Sequence, residues 1–116
     1  MDMGFFQKEE TVFEKEGILL GELNYDSPTG TCYDNVLTFA FPVKKNRVLR
    51  AEIKSDKTID AVIARPDNSA AFQALGITES VLGPVDTKDN TEMGILIGLA
   101  PGDRALVSIR AWIDAK

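Results

Sequence analysis

"RVLRAEIKSDKTIDAVIARP", residues Arg47 to Pro66, alternates apolar and polar side chains through two runs. Leu49, Ala51 and Ile53 share one parity in the first run, and Arg50, Glu52 and Lys54 take the other. Ile59, Ala61 and Ile63 resume the apolar set in the second. A period of two belongs to a strand with one buried face, since a helix repeats every 3.6 residues. Between the runs stand Ser55, Asp56, Lys57 and Thr58. Ser and Asp bond readily to nearby backbone, so the pattern predicts a hairpin that turns at 55–58.

The same reading extends upstream. Leu37, Phe39, Phe41 and Val43 alternate against Thr38, Ala40 and Pro42. Pro42 has no amide proton and belongs at an edge or a strand end. Lys44 to Arg47 then makes a polar turn, and three consecutive strands form an antiparallel meander. Downstream, "PDNSAAFQALG" (Pro66 to Gly76) predicts one short helix near 68–75, with Asn68 or Ser69 capping its first amides and Gly76 ending it. Ser80 to Val85 offers a further strand. Met93, Ile95, Ile97 and Leu99 alternate with Gly94, Leu96 and Gly98, Ala100 to Asp103 supplies a turn, and Val107, Ile109, Ala111 and Ile113 form the returning strand. Thr11 to Phe13 and Gly17 to Tyr25 add one or two more.

The expected fold is all-β: an antiparallel two-layer β-sandwich, jelly-roll-like, with about seven or eight strands and the one helix, because an apolar sheet face needs a second layer over it. A small closed β-barrel is the alternative. Residues 1–10 are expected to be an N-terminal tail, partly disordered, and residues 11–116 a single domain. A chain of 116 residues with 44% hydrophobic and 27% charged residues buries roughly two thirds of its unfolded surface, so it needs neither metal nor disulfide to fold.

Lys and Arg number 13 against 18 Asp and Glu, a net charge of −5. A phosphate backbone finds little to hold, and no nucleic-acid partner is expected. The tight basic group Lys44-Lys45-Asn46-Arg47 reads as a solvated turn or, less simply, as a contact for an anionic partner. Phe5 and Phe6 read as a local hydrophobic tuck or as a small docking tip. Gly17 to Leu23 is too short to span a bilayer, so no integral membrane segment is expected. A single cysteine, Cys32, and the lack of a leader-like start point to the cytoplasm, or to a secreted or surface-associated protein if a leader has been removed.

The chain has no histidine, which excludes His-assisted serine or cysteine nucleophiles within it and the usual His-containing zinc sites. No glycine-rich phosphate loop with its Lys-Ser/Thr is present. Cys32 reads as a small apolar residue in a loop. Carboxylates are the remaining chemistry: Asp26 and Asp34 bracket one loop, and Asp86 and Asp89, with Glu92, occupy another. Each set offers oxygens to calcium, or else caps its own turn; no other cofactor is expected. Lys88 places a positive charge inside the second set. No enzymatic activity is expected.

Two surfaces qualify for recognition. Trp112 and Arg110 fall on the parity opposite to Ile109, Ala111 and Ile113, so the tryptophan faces outward, either as an interface anchor or under a covering segment. Tyr25 and Tyr33 flank the Asp26 to Cys32 loop, where they grip a ligand or pack the loop down. Gly94 to Leu99 is expected to be an apolar edge open to strand pairing.

The run "FAFPVKKNRVLRAEIKSDKTIDAVIARPDNSAAFQALG" resembles small jelly-roll-like modules such as bacterial pre-peptidase C-terminal domains and GOLD domains. Phe41, Val43, Ser55, Asp56, Ile59, Asp60 and Phe72 carry the resemblance, within a run of 38 of the 116 residues. It implies a non-catalytic accessory or interaction module. The expected function is therefore protein binding or self-association; a carbohydrate- or calcium-binding accessory domain, or a structural component of a phage or surface particle, is the alternative.

Overall fold

Inward parity is the feature from which the architecture grows. In the computed structural model, which describes residues 9–21, 23–27, 30–33, 35–100 and 103–115, Leu49, Ala51, Ile53, Ile59, Ala61 and Ile63 are all buried. Arg50, Glu52 and Lys54 lie on the other face, where Arg50 pairs with Asp114 and Lys54 lies 3.8 Å from Glu79. The described residues form eight strands and no helix: β1 (Glu10–Leu20), β2 (Leu23–Ser27), β3 (Gly30–Tyr33), β4 (Val36–Pro42), β5 (Arg47–Ala64), β6 (Ala70–Asp86), β7 (Glu92–Gly98) and β8 (Ala105–Ala115). Six of them make one antiparallel sheet in the order β1-β8-β5-β7-β4, with β6 paired to β5; β2 and β3 form a separate hairpin.

The hairpin expected at 55–58 is not there. Residues 47–64 are one strand of 18 residues, and Ser55 to Thr58 form a corner inside it. Five steps along β5, from Lys54 to Ile59, match only two along β6, from Glu79 to Ile77. The polar residues of the corner take up local and cross-strand bonds: the Ser55 hydroxyl accepts from the Lys57 amide (3.2 Å) and the Asp56 carboxylate from the Leu106 amide (2.8 Å). The residue types that predicted a turn thus serve a bulge, which bends a strand without reversing it.

Because β5 continues through its corner, β6 runs along one edge while the other takes two partners in succession. β8 pairs with Arg47 to Ser55, and β7 with Asp60 to Ala64. The meander is corrected accordingly: β4 pairs with β7, in a register from Val36↔Gly98 to Pro42↔Glu92, and not with β5. β7 is therefore an interior strand, which removes the open edge expected at Gly94 to Leu99. β8 likewise does not return along β7.

The expected helix at 68–75 is overturned as well. Pro66, Asp67 and Asn68 form a tight hairpin loop in which the Asn68 amide donates to the Arg65 carbonyl (2.8 Å) and the Arg65 amide to the Ser69 carbonyl (2.9 Å), with Asn68 in the left-handed region at a φ of 71°. Proline at the second turn position and an asparagine in the left-handed region suit this loop. Ala70 onward then pairs with β5, and the ladder overrides a helical propensity that is weak over so few residues. Gly76, expected to end the helix, instead sits in a bulge of β6, where its amide donates to Asp60 (2.9 Å).

In that loop the Ser69 hydroxyl (2.6 Å) and amide (2.9 Å) both donate to Asp67 Oδ1. The hydroxyl bond first, and then the amide bond, hold the Asp67 carboxyl below its ordinary 3.8. A carboxyl depressed in the folded state stabilises fully above its unfolded value, and that contribution fades as pH falls through the lower folded one. Ser69→Ala is expected to move the Asp67 titration back up toward 3.8, as read by NMR.

The sheet curls until its end strands meet. Phe13 on β1 stacks on Phe41 of β4, with centroids 5.5 Å apart, and tilts against Phe39 at 5.4 Å; Lys15 reaches over Phe39 and Lys44 pairs with Glu10 at 2.8 Å. No backbone ladder joins β1 to β4 among the described residues. The result is a nearly closed, barrel-like sheet, the alternative to the two-layer sandwich. Its physical cause is the length of β5 and β6, which pass through both halves and make one curled sheet of what would otherwise be two layers. Ile18, Leu20, Phe41, Leu82, Met93, Ile95, Ile97, Val107 and Ile109 join the β5 residues in the core.

Among the described residues, one polar side chain is fully enclosed. Thr87 Oγ1 accepts from the Arg47 amide (2.9 Å) and donates to the Lys44 carbonyl (2.7 Å), while its amide donates to the Arg47 carbonyl. It ties the 87–91 turn to the basic turn. Thr87→Val keeps the shape but strands the Lys44 carbonyl and Arg47 amide, so a loss of about 1–3 kcal/mol is expected in urea unfolding.

Candidate functional site

The outer face of β8 carries Arg110, Trp112 and Asp114, in alternation with the inward Ile109, Ala111 and Ile113. Register sets their neighbours: Thr11 and Arg50 flank Trp112, and Glu14 and Glu52 flank Arg110. Trp112 lies off the core face, as its parity requires, yet it is only 7% exposed. The Arg110 guanidinium lies over its ring, 4.4 Å from the centroid, and Nη1 reaches to 3.8 Å from Glu9. Of the two readings of Trp112 the covered one fits: the indole is a covered plate, and the group presented above it is a cation. A cation over an indole contributes about 0.5–2 kcal/mol, so Arg110→Ala is expected to cost about 1 kcal/mol and to raise acrylamide quenching of the single tryptophan.

Beside this plate lies a shallow depression of about 230 Å³ lined by Glu14, Glu16, Glu52, Lys54, Ser108 and Arg110. Its three carboxylates outnumber its two cations. A second recess, about 300 Å³, follows the seam between β1 and β4, where Val12, Pro42 and Val43 meet Glu10 and Lys44. Both are open troughs.

The other expected site residues lie elsewhere. Tyr25 pairs with Cys32, Asp26 with Thr31 and Tyr33 with Leu23 on the β2–β3 hairpin, a sheet separate from the one that carries Arg110 and Trp112. Asp34 lies outside the described residues, as do Phe5 and Phe6. Asp86 precedes the turn that holds Thr87 and Asp89 lies within it, and the Asp86 carboxylate accepts from the Lys88 amide at 2.7 Å. Among the described residues, no group of three or more His, Cys, Asp or Glu is placed to hold a metal ion. In the basic turn, Lys44, Lys45 and Asn46 are exposed and Lys44 is engaged by Glu10. No helix among the described residues is long and apolar enough to cross a membrane.

No protein-family model and no curated protein matches this chain.

The expected strand at Ser80 to Val85 is the second half of β6, and its first half, from Ala70, is what the expected helix concealed. β6 pairs with β5 along one side and with no other strand among the described residues. Over its first half, Phe72, Ala74 and Ile77 pack against the core yet are only partly buried, while Leu75 (68%) and, further on, Val81 (51%) are exposed. The usable signal was the Pro66-Asp67-Asn68 turn, which makes the residues after it a strand. A second exposed apolar pair, Leu19 and Leu106, sits cross-strand on β1 and β8.

Proposed function

We propose that this chain is a non-catalytic interaction module that binds proteins, itself included, through an open strand edge. The observation that carries this reading is β6, 17 residues long and, among the described residues, paired on one side only. Unpaired amides and carbonyls along such an edge accept an added strand, and exposed side chains beside them select it. The non-catalytic role implied by the resemblance to pre-peptidase C-terminal and GOLD domains agrees with this proposal.

The test is capture from the native host with the wild-type chain and with a variant that carries Leu75→Lys and Thr78→Lys, both at exposed positions. Proteins lost with the variant support recognition at the edge. Identical captures contradict it, and a rise in melting temperature with calcium or with glycans would favour the accessory-domain alternative instead.

A further inference from the structure

We infer that the strand which occupies the open edge of β6 is the β6 of a second copy, paired antiparallel about a twofold axis within Ala70 to Thr78; this rests on the open-edge reading above. The segment AAFQALGIT carries no charge and no proline, and edge strands are usually kept apart by lysines, prolines or short length. For a chain with a net charge of −5, this is a stretch where two copies approach without like charges in contact.

Charge also selects the direction. Glu79 follows the segment, while the turn before it holds Arg65 and Asp67, which offset one another. Parallel pairing sets Glu79 beside Glu79; antiparallel pairing sets each Glu79 toward the other copy's neutral turn. Apolar cover agrees with this. Phe72, Ala74 and Ile77 are half-buried at the rim of the core, and a strand with the same three residues would extend the sheet and complete their burial. The contact is self-complementary, so one interface satisfies both edges and closes as a dimer, where a head-to-tail contact would leave a growing end.

Size-exclusion chromatography with light scattering, from low micromolar to near-millimolar, tests this together with amide exchange over 70–78. The wild-type chain is expected to become dimeric as concentration rises, with these amides gaining protection. The Leu75→Lys/Thr78→Lys variant is expected to dimerise at least about tenfold more weakly, since it places lysines in a paired edge, with unchanged melting when dilute. A wild-type monomer at every concentration overturns the second-copy assignment but leaves the open-edge reading to the capture experiment. A dimer that persists in the variant, with 70–78 still exchanging freely, overturns the assignment and places self-association on another surface.

Discussion

Ile53→Ala is expected to destabilise the chain by about 2–5 kcal/mol, the range for truncating a fully buried aliphatic side chain. Ile53 has no exposed surface and sits between Ile109 of β8 and Ser80 of β6 in the register. Three strands fix its surroundings, so the lost volume cannot be filled by one of them moving. At about 4 °C per kcal/mol for a chain of this size, the melting temperature should fall by roughly 10–20 °C. Lys54→Ala, one residue on, is the control. Its side chain is 58% exposed and meets Glu79 only at 3.8 Å, so a change within about 0.5 kcal/mol is expected. Similar costs at the two positions would mean that the inward parity is wrong.

The second large effect is expected at Gly21. Its φ is +80°, and a Cβ there would lie 2.2 Å from the carbonyl oxygen of Asp103 and 3.2 Å from Leu99 Cδ2. The oxygen belongs to backbone and has no rotamer by which to swing aside. Gly21→Ala therefore adds a steric clash to the left-handed penalty of about 1–2 kcal/mol, for a total of at least about 3 kcal/mol. Gly17 separates the two contributions. It too is left-handed, at +68°, but nothing lies within 4 Å of the added carbon, so Gly17→Ala should show the conformational penalty alone. Urea unfolding of both variants measures the difference, and equal losses would show that β1 does not lie close against Asp103.

What could be read in advance follows from which interactions are local. Parity is local, and the inward sets on β5, β7 and β8 are buried as the alternation of Ile53, Ile97 and Ile109 requires, with Phe41 buried and Leu37 and Phe39 half-buried on β4. Strand pairing is not local. Ser55 to Thr58 have the composition of a turn, and only the ladders to β6, β7 and β8 determine that the chain bends there without reversing. The error at 68–75 has the same origin: Asn68 and Ser69 suit a helix cap as well as a hairpin loop, and the decision falls to β5, which offers a long partner edge. Thr87 is another case, because its two backbone partners, Lys44 and Arg47, lie some forty positions away. At the candidate site, parity placed Trp112 off the core correctly, but its cover comes from Arg110 two residues back along the same face, a rotamer choice that spacing does not encode. The open edge of β6 was hidden by the helix assignment alone.

The central claim is that Arg47 to Ala64 is one bent strand, flanked by β6 on one side and by β8 and then β7 on the other. Cross-strand nuclear Overhauser contacts in the labelled protein test it most directly. Contacts of Ala51 with Ala111 and Leu82, and of Ala61 with Ile97 and Ala74, are expected. Cross-strand contacts between the 49–54 and 59–64 segments, as in a hairpin closed at Ser55 to Thr58, would contradict it.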